Sequence, residues 1–270
     1  MDQLTFNLAA LAALLPCAIL PFRRGTGPTE EVRDLVFWAL LAAAIAGSVA
    51  WTWGLFASGW QTGIAASLWI TITIAYILFA VISALSASFA RLLALFGPYA
   101  VVLGLVATVW AQAPARAGIT KASGVWLDLH ITVSVATYAL VTLAAMAALG
   151  VYLQERALKA RKPSRLTAML PSVADGEALQ HRLLIASAIV LGIGLTTGGI
   201  IEMIGDGSIF QLNHKIFLSV LSFVVIVGLL IVHRVIGLAG RRAARYLLLA
   251  YLLLTLGYPG VKFVTDVILA

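Results

Sequence analysis

Charge is scarce in this chain. Asp, Glu, Lys and Arg make up 11% of its 270 residues, against roughly 25% in soluble domains. That scarcity excludes an ordinary solvated surface, and the charges present are clustered between long uncharged runs. There is one cysteine, Cys17, inside an apolar stretch. A single thiol forms no internal disulfide, and no CxxC pair is available for redox work. The opening segment lacks basic residues before its apolar stretch and lacks a small-residue cleavage site. It starts acidic and ends at Arg23–Arg24, so it reads as a retained membrane helix rather than a secretory signal. No HExxH spacing, phosphate loop, Ser-His-Asp arrangement or carboxylate pair within a span is legible, and no catalytic activity is expected. No basic run interleaves with aromatics on a polar face, which argues against nucleic acid as a partner.

What is abundant is apolar: 62% of the residues are hydrophobic. A bilayer core needs about 20 consecutive apolar residues per helix. Backbone groups in lipid must pair within helices or closed barrels. The runs here are continuous rather than alternating, so the expected fold is all-α. It is a polytopic membrane helical bundle of about eight transmembrane helices, a single integral membrane domain over 1–270. The expected spans are Leu4–Phe22, Leu35–Ala57, Gly63–Leu85, Leu92–Ala111, Val125–Leu153, Leu183–Ile201, Ile216–Val232 and Tyr246–Val261. The first is the weakest, because Asn7, Pro16 and Pro21 interrupt it. Membrane lipid is thus the one certain neighbour.

Sidedness follows from the basic residues. With eight spans, one side holds Arg23, Arg24, Arg33, Arg91, Arg182 and Arg234, the cluster from Arg156 to Arg165, and the cluster from Arg241 to Arg245. That is 14 of the 18 Lys and Arg. The other side keeps Arg116, Lys121, Lys215 and Lys262. The positive-inside rule then puts both termini outside, in what is expected to be a bacterial inner membrane. The net charge of +7 has the same origin. Trp51, Trp53, Trp60, Trp110 and Trp126 fall near the outer boundary, where an apolar ring with a polar edge is at home. The largest inner loop, about Gln154–Arg182, contains LTAMLPSVADGEAL, which reads as a short amphipathic piece along the membrane surface. No repeat relates the first four helices to the last four, so the common transporter signature is missing.

The four histidines are the informative residues, because ionisable groups near a membrane core are costly. His130 opens the fifth span and His214 the seventh, both on the outer side. His233 closes the seventh on the inner side, and His181 sits at the inner boundary before the sixth. His214 and His233 are 19 residues apart on one helix, roughly 28 Å at 1.5 Å per residue, so they cannot share a ligand. By this reading only His130 and His214 form a plausible pair. Two imidazoles on facing helices suit the axial positions of a haem iron or part of a transition-metal site. Ser134, Thr137 and Tyr138 follow His130 on roughly one face and are expected to line its pocket or to hydrogen-bond its ligands. His233 beside Arg234 reads as a C-terminal capping pair, and His181 as a solvated interface residue. Gly192, Gly194, Gly198 and Gly199 in the sixth span read as close helix packing.

Three stretches carry a resemblance. They are LHITVSVATYALVTLAAMAALGVYLQERALK, LLIASAIVLGIGLTTGGI, and NHKIFLSVLSFVVIVGLLIVHRVIGLAGRRAARYLLLAYLLLTLGYPGVKFV. Together they cover about Trp126–Ile268, and this 126–268 region resembles the cytochrome c assembly family of haem-handling membrane proteins of the CcsA, ResC and CcmC type. It is most similar to the small eight-helix HemX/YpjD-type branch. The resemblance implies that His130 is an outer-side haem ligand. It matches His233 to a histidine within the membrane of larger members. It also implies b-type haem as cofactor and cytochrome assembly proteins as partners. Two departures stand out. The loop IEMIGDGSIFQLNHK lacks the family's tryptophan-rich motif, and VKFVTDVILA lacks its second outer histidine; our reading sets His214 in that place. The expected function is haem binding or haem trafficking in cytochrome c assembly, with no chemistry of the protein's own. The alternatives are a haem-free scaffold that regulates a partner protein and a small-solute or ion transporter.

Overall fold

The computed structural model describes residues 3–24, 32–57, 64–111, 125–206, 214–237 and 240–256. These form ten helices and short connections, with no strand among them. They are α1 (Gln3–Arg23), α2 (Leu35–Ala57), α3 (Ile64–Leu85), α4 (Ala87–Ala90), α5 (Leu93–Trp110), α6 (Val125–Ala160), α7 (Arg165–Met169), α8 (Val173–Asp206), α9 (His214–Ile236) and α10 (Gly240–Thr255). Seven are long and apolar enough to cross a bilayer. The expected eighth span, Tyr246–Val261, falls on α10, of which 16 residues are described; the remainder of that span lies outside the described residues. The chain is a multi-pass helical membrane protein.

Helix α1 runs on through Pro16 and Pro21, the residues expected to weaken it. Neighbouring helices and local adjustment satisfy the backbone groups that a proline frees in a membrane helix, so interior prolines are tolerated there. Asn7 is also satisfied: it is buried, and its Oδ1 accepts from Trp51 Nε1 of α2 at 2.9 Å. Trp51 is therefore not an interfacial anchor. It lies in the core, stacked on Trp69 of α3 with ring centroids 5.2 Å apart. Trp53 and Trp126 are exposed, as an interfacial role requires, and Trp60 lies outside the described residues.

Helix α6 is the axis of the bundle. It packs along α8, α10 and α3, while α1 packs on α5 and α2. The stretch from Tyr138 to Ala148 is almost wholly buried. Its many alanines let neighbouring helices approach closely, which substitutes for the hydrophobic force that lipid cannot supply between helices. Helix α9 is peripheral and turns Phe217, Val224 and Ile231 outward. Several hydroxyls inside the spans are satisfied by their own helix, whereas those of Tyr76 and Ser83 are buried without a partner among the described residues. Thr137 donates to Val133 O, Thr142 to Tyr138 O, Ser187 to Leu183 O and Ser222 to Leu218 O, the usual back-bonding of such residues.

The basic end of the bundle is built from side chain to backbone contacts. Arg24 pairs with Asp34 and donates to Val32 O at 2.8 Å. Asp34 Oδ1 accepts from Phe37 N at the start of α2. That amide, with help from Arg24, holds the Asp34 carboxyl below its usual range. Its stabilising contribution is present above the ordinary carboxylate pKa and fades as pH falls through the depressed one. The segment read as a surface-lying piece is instead folded under the bundle. Ser164 caps α7, Met169 and Leu170 are buried, and Gln154 of α6 donates to Thr167 O at 2.7 Å and Pro171 O at 3.1 Å. Its apolar side chains find protein to pack against, so they need no membrane surface. Cysteines introduced at Ser164 and Ser208 should label from opposite sides of sealed cells, with buried Cys17 silent. Outside labelling at both sites would overturn the assigned sidedness.

Helix α10 begins six residues before its expected span, because Gly240, Arg241 and Arg242 form its first turn. Basic residues there oppose the helix dipole. The counterweight is Glu155 of α6, whose Oε1 accepts from Arg241 N at 3.2 Å. Gly240 adopts φ +64°, and a Cβ there would overlap the Glu155 carboxylate. Gly240→Ala should therefore cost about 1–2 kcal/mol from the left-handed backbone alone, and more from the collision. Thermal unfolding in detergent measures the loss. Adding Glu155→Ala should return only the steric part. Full recovery would show that the backbone conformation is not required.

Candidate functional site

Histidines occupy both ends of the bundle. At the end opposite the basic loops, His130 lies half-buried in the second turn of α6, facing α8. Its Nδ1 is 3.2 Å from Thr197 Oγ1. The Thr197 hydroxyl donates its proton to Ile193 O or Gly194 O, each 3.0 Å away within α8. With its proton so used, the hydroxyl oxygen is an acceptor for His130 in the tautomer that carries the ring proton on Nδ1. In that tautomer the lone pair is on Nε2, 3.5 Å from Ser134 Oγ one turn on. Gly198 makes this approach possible: a Cβ there would stand 3.0 Å from His130 Cε1. Two more of the four glycines also meet other helices, Gly194 at Val133 and Gly192 at Phe223, whereas Gly199 faces open space.

His214 is the first residue of α9, at this same end. Its side chain lies outside the described residues, as do those of Arg116, Lys121 and Lys215, so the pairing of the two imidazoles does too. Ser134 is beside His130. Thr137 is buried and bonded to its own helix. Tyr138, two turns from His130, belongs to a separate cluster deeper in the bundle. Its hydroxyl is 3.4 Å from Tyr251 OH and 3.2 Å from Thr255 Oγ1 of α10, and Tyr251 OH is 2.6 Å from Tyr99 OH of α5.

The basic end holds a pair that spacing did not reveal. His181 of α8 and His233 of α9 stack with ring centroids 4.5 Å apart and planes tilted by 35°. His181 is not a loop residue, because α8 begins eight residues earlier at Val173. Nor is His233 part of a side-chain cap: α9 continues to Ile236, and Gly237 at φ +64° returns its N–H to His233 O at 3.0 Å. Expecting α8 to start at Leu183 placed His181 outside the bundle, and so hid its partner. The usable signal was VADGEALQ, which contains no proline and extends the helix toward the N-terminus despite its Asp175–Gly176 turn dipeptide.

The model of the cytochrome C assembly protein family matches residues 35–269, and the chain belongs to that family. The match starts at α2, so it takes in helices well before the region 126–268. The chain is also 49% identical over 268 residues, 99% of each chain, to a protein of Azospirillum brasilense described as an uncharacterized 28.8 kDa protein in the nifR3-like 5′ region. No solved structure matches.

Proposed function

We propose that the protein binds or moves b-type haem for cytochrome c assembly, at the end of the bundle that carries His130. It does so in a bacterial inner membrane with its basic end in the cytoplasm. The observation that carries this reading is the His130–Thr197 contact. A histidine that ligates iron uses one ring nitrogen and donates the other N–H to a fixed acceptor, which sets tautomer and orientation. Thr197, locked by its own bonds to α8, is such an acceptor for Nδ1, and Nε2 is the nitrogen that would hold iron. His214 on α9 is the candidate second ligand. Haem bound there would supply the redox and ligand chemistry. His130 would hold it, Thr197 would orient the imidazole, and the chain's residues would carry no reaction step of their own. Cytochrome assembly proteins are the proposed partners.

The test is the absorption of purified protein loaded with haem. One haem per chain with a Soret band lost in His130→Ala supports the reading. Protein that takes up no haem favours a haem-free scaffold, and an unchanged band in the variant takes the ligand role away from His130.

A further inference from the structure

The His181–His233 pair borders a small, partly open cavity also lined by Glu177, Gln180, Leu184, Leu229, Gly240 and Ala243. Its volume is about 20 Å³. One water or one bare ion needs roughly 10–15 Å³ measured in this way, so there is room for a single such occupant and none for a porphyrin. A second observation asks for an occupant. Gln180 is 94% buried, being 6% exposed, and its Oε1 reaches no hydrogen-bond partner although it lines the cavity. A buried carbonyl oxygen left unpaired costs about 1–3 kcal/mol, and a cation or a water bound to one would remove that cost.

The ring geometry selects between haem and a small ion. Axial ligands of one haem stand on opposite faces, with imidazole centroids about 6 Å apart for metal–nitrogen bonds of about 2.0 Å. Two imidazoles side by side on one ion, at about 90–110° and the same bond length, have centroids about 4.5–5 Å apart. The observed 4.5 Å is too short for the first arrangement and within the reach of the second. Two imidazolium charges at that separation would repel, whereas two neutral rings offer two lone pairs to one cation. Imidazole nitrogen with an amide oxygen is a donor set for a borderline transition metal rather than for magnesium or calcium. Among the described residues no three His, Cys, Asp or Glu cluster closely enough to hold a metal, so water would complete the coordination. Glu177, one turn before His181 and lining the same cavity, supplies the negative charge that offsets the nearby Arg234.

We propose that the cavity between α8, α9 and α10 binds one divalent transition-metal ion, of the zinc, cobalt or nickel type, through His181, His233 and the Gln180 amide oxygen. This site is separate from the haem reading and does not rest on it. The metal ties the start of α8 to the end of α9 at the cytoplasmic face.

The experiment uses the untagged full chain in detergent, freed of metal by chelator and titrated with Co²⁺ or Zn²⁺ in the absence of haem. One equivalent should bind, with a Co²⁺ visible spectrum of nitrogen and oxygen ligation. His181→Ala and His233→Ala should each weaken binding at least tenfold. Gln180→Met, which keeps the volume and removes the oxygen donor, should weaken it less and should fold. Replacing His130 and His214 together should leave the metal bound. No saturable binding to the native chain would overturn the proposal. So would affinity unchanged in Gln180→Met and in either histidine variant, or loss of the metal only when His130 and His214 are replaced. A Soret band that depends on His181 and His233 would assign the pair to haem instead, and would also overturn it.

Discussion

Gly97→Val should sharply reduce the yield and melting temperature of the detergent-solubilised protein. Gly97 sits where α5 crosses α1, and a Cβ there would stand 2.8 Å from both Ala18 Cα and Cys17 O and 3.0 Å from Ala18 N. All three are backbone atoms, so no rotamer change relieves the contact and the helices must separate. Alanine gains about 0.5–1 kcal/mol over glycine as a helix former. Overpacking a close contact costs about 1–3 kcal/mol, so even Gly97→Ala should be net destabilising, and valine more so. Gly228→Ala is the internal comparison, because a Cβ there meets nothing within 4 Å; it should be neutral or slightly stabilising. A Gly97→Ala protein that melts at or above the native temperature would show that α1 and α5 do not cross there. No histidine is among the atoms nearest a Cβ at Gly97.

Haem-loaded protein should lose its low-spin spectrum in His130→Ala and weaken, without losing, retention in Thr197→Val. The valine keeps the shape of the threonine but gives Nδ1–H no acceptor, and hydrogen-bond partners of metal-binding histidines are worth about 10–100-fold in affinity. His214→Ala distinguishes two arrangements. A change from low to high spin makes it the second axial ligand, while an unchanged spectrum assigns that place to another group. If Thr197→Val retains haem as the native chain does, the contact with α8 does not orient the ligand.

The helices were legible because lipid allows an apolar run of this length little else to be. Their ends were less so. Composition stops a span where charge begins, yet α8 starts at Val173 and α10 at Gly240, because protein contacts such as Glu155 to Arg241 N extend helices beyond the apolar core. That error in one boundary concealed the inner histidine pair. At the outer end, His130 and Ser134 were found by helical spacing. Thr197 was not, since 67 residues separate it from His130 and no periodicity links two different helices. Tyr138 shows the limit of the stripe argument. It lies on the expected helix but bonds across to α10, which only the packing of three helices could reveal.

The tyrosine cluster and the Glu155 cap have a consequence for the order of synthesis. Tyr251, Thr255 and the Arg241 amide all belong to α10, the last described helix to emerge from the ribosome. Until it arrives, Tyr99 and Tyr138 lack the Tyr251 hydroxyl, Tyr138 lacks that of Thr255, and Glu155 lacks the amide it caps. These polar contacts on α5 and α6 therefore wait for the last described helix and close together when it docks.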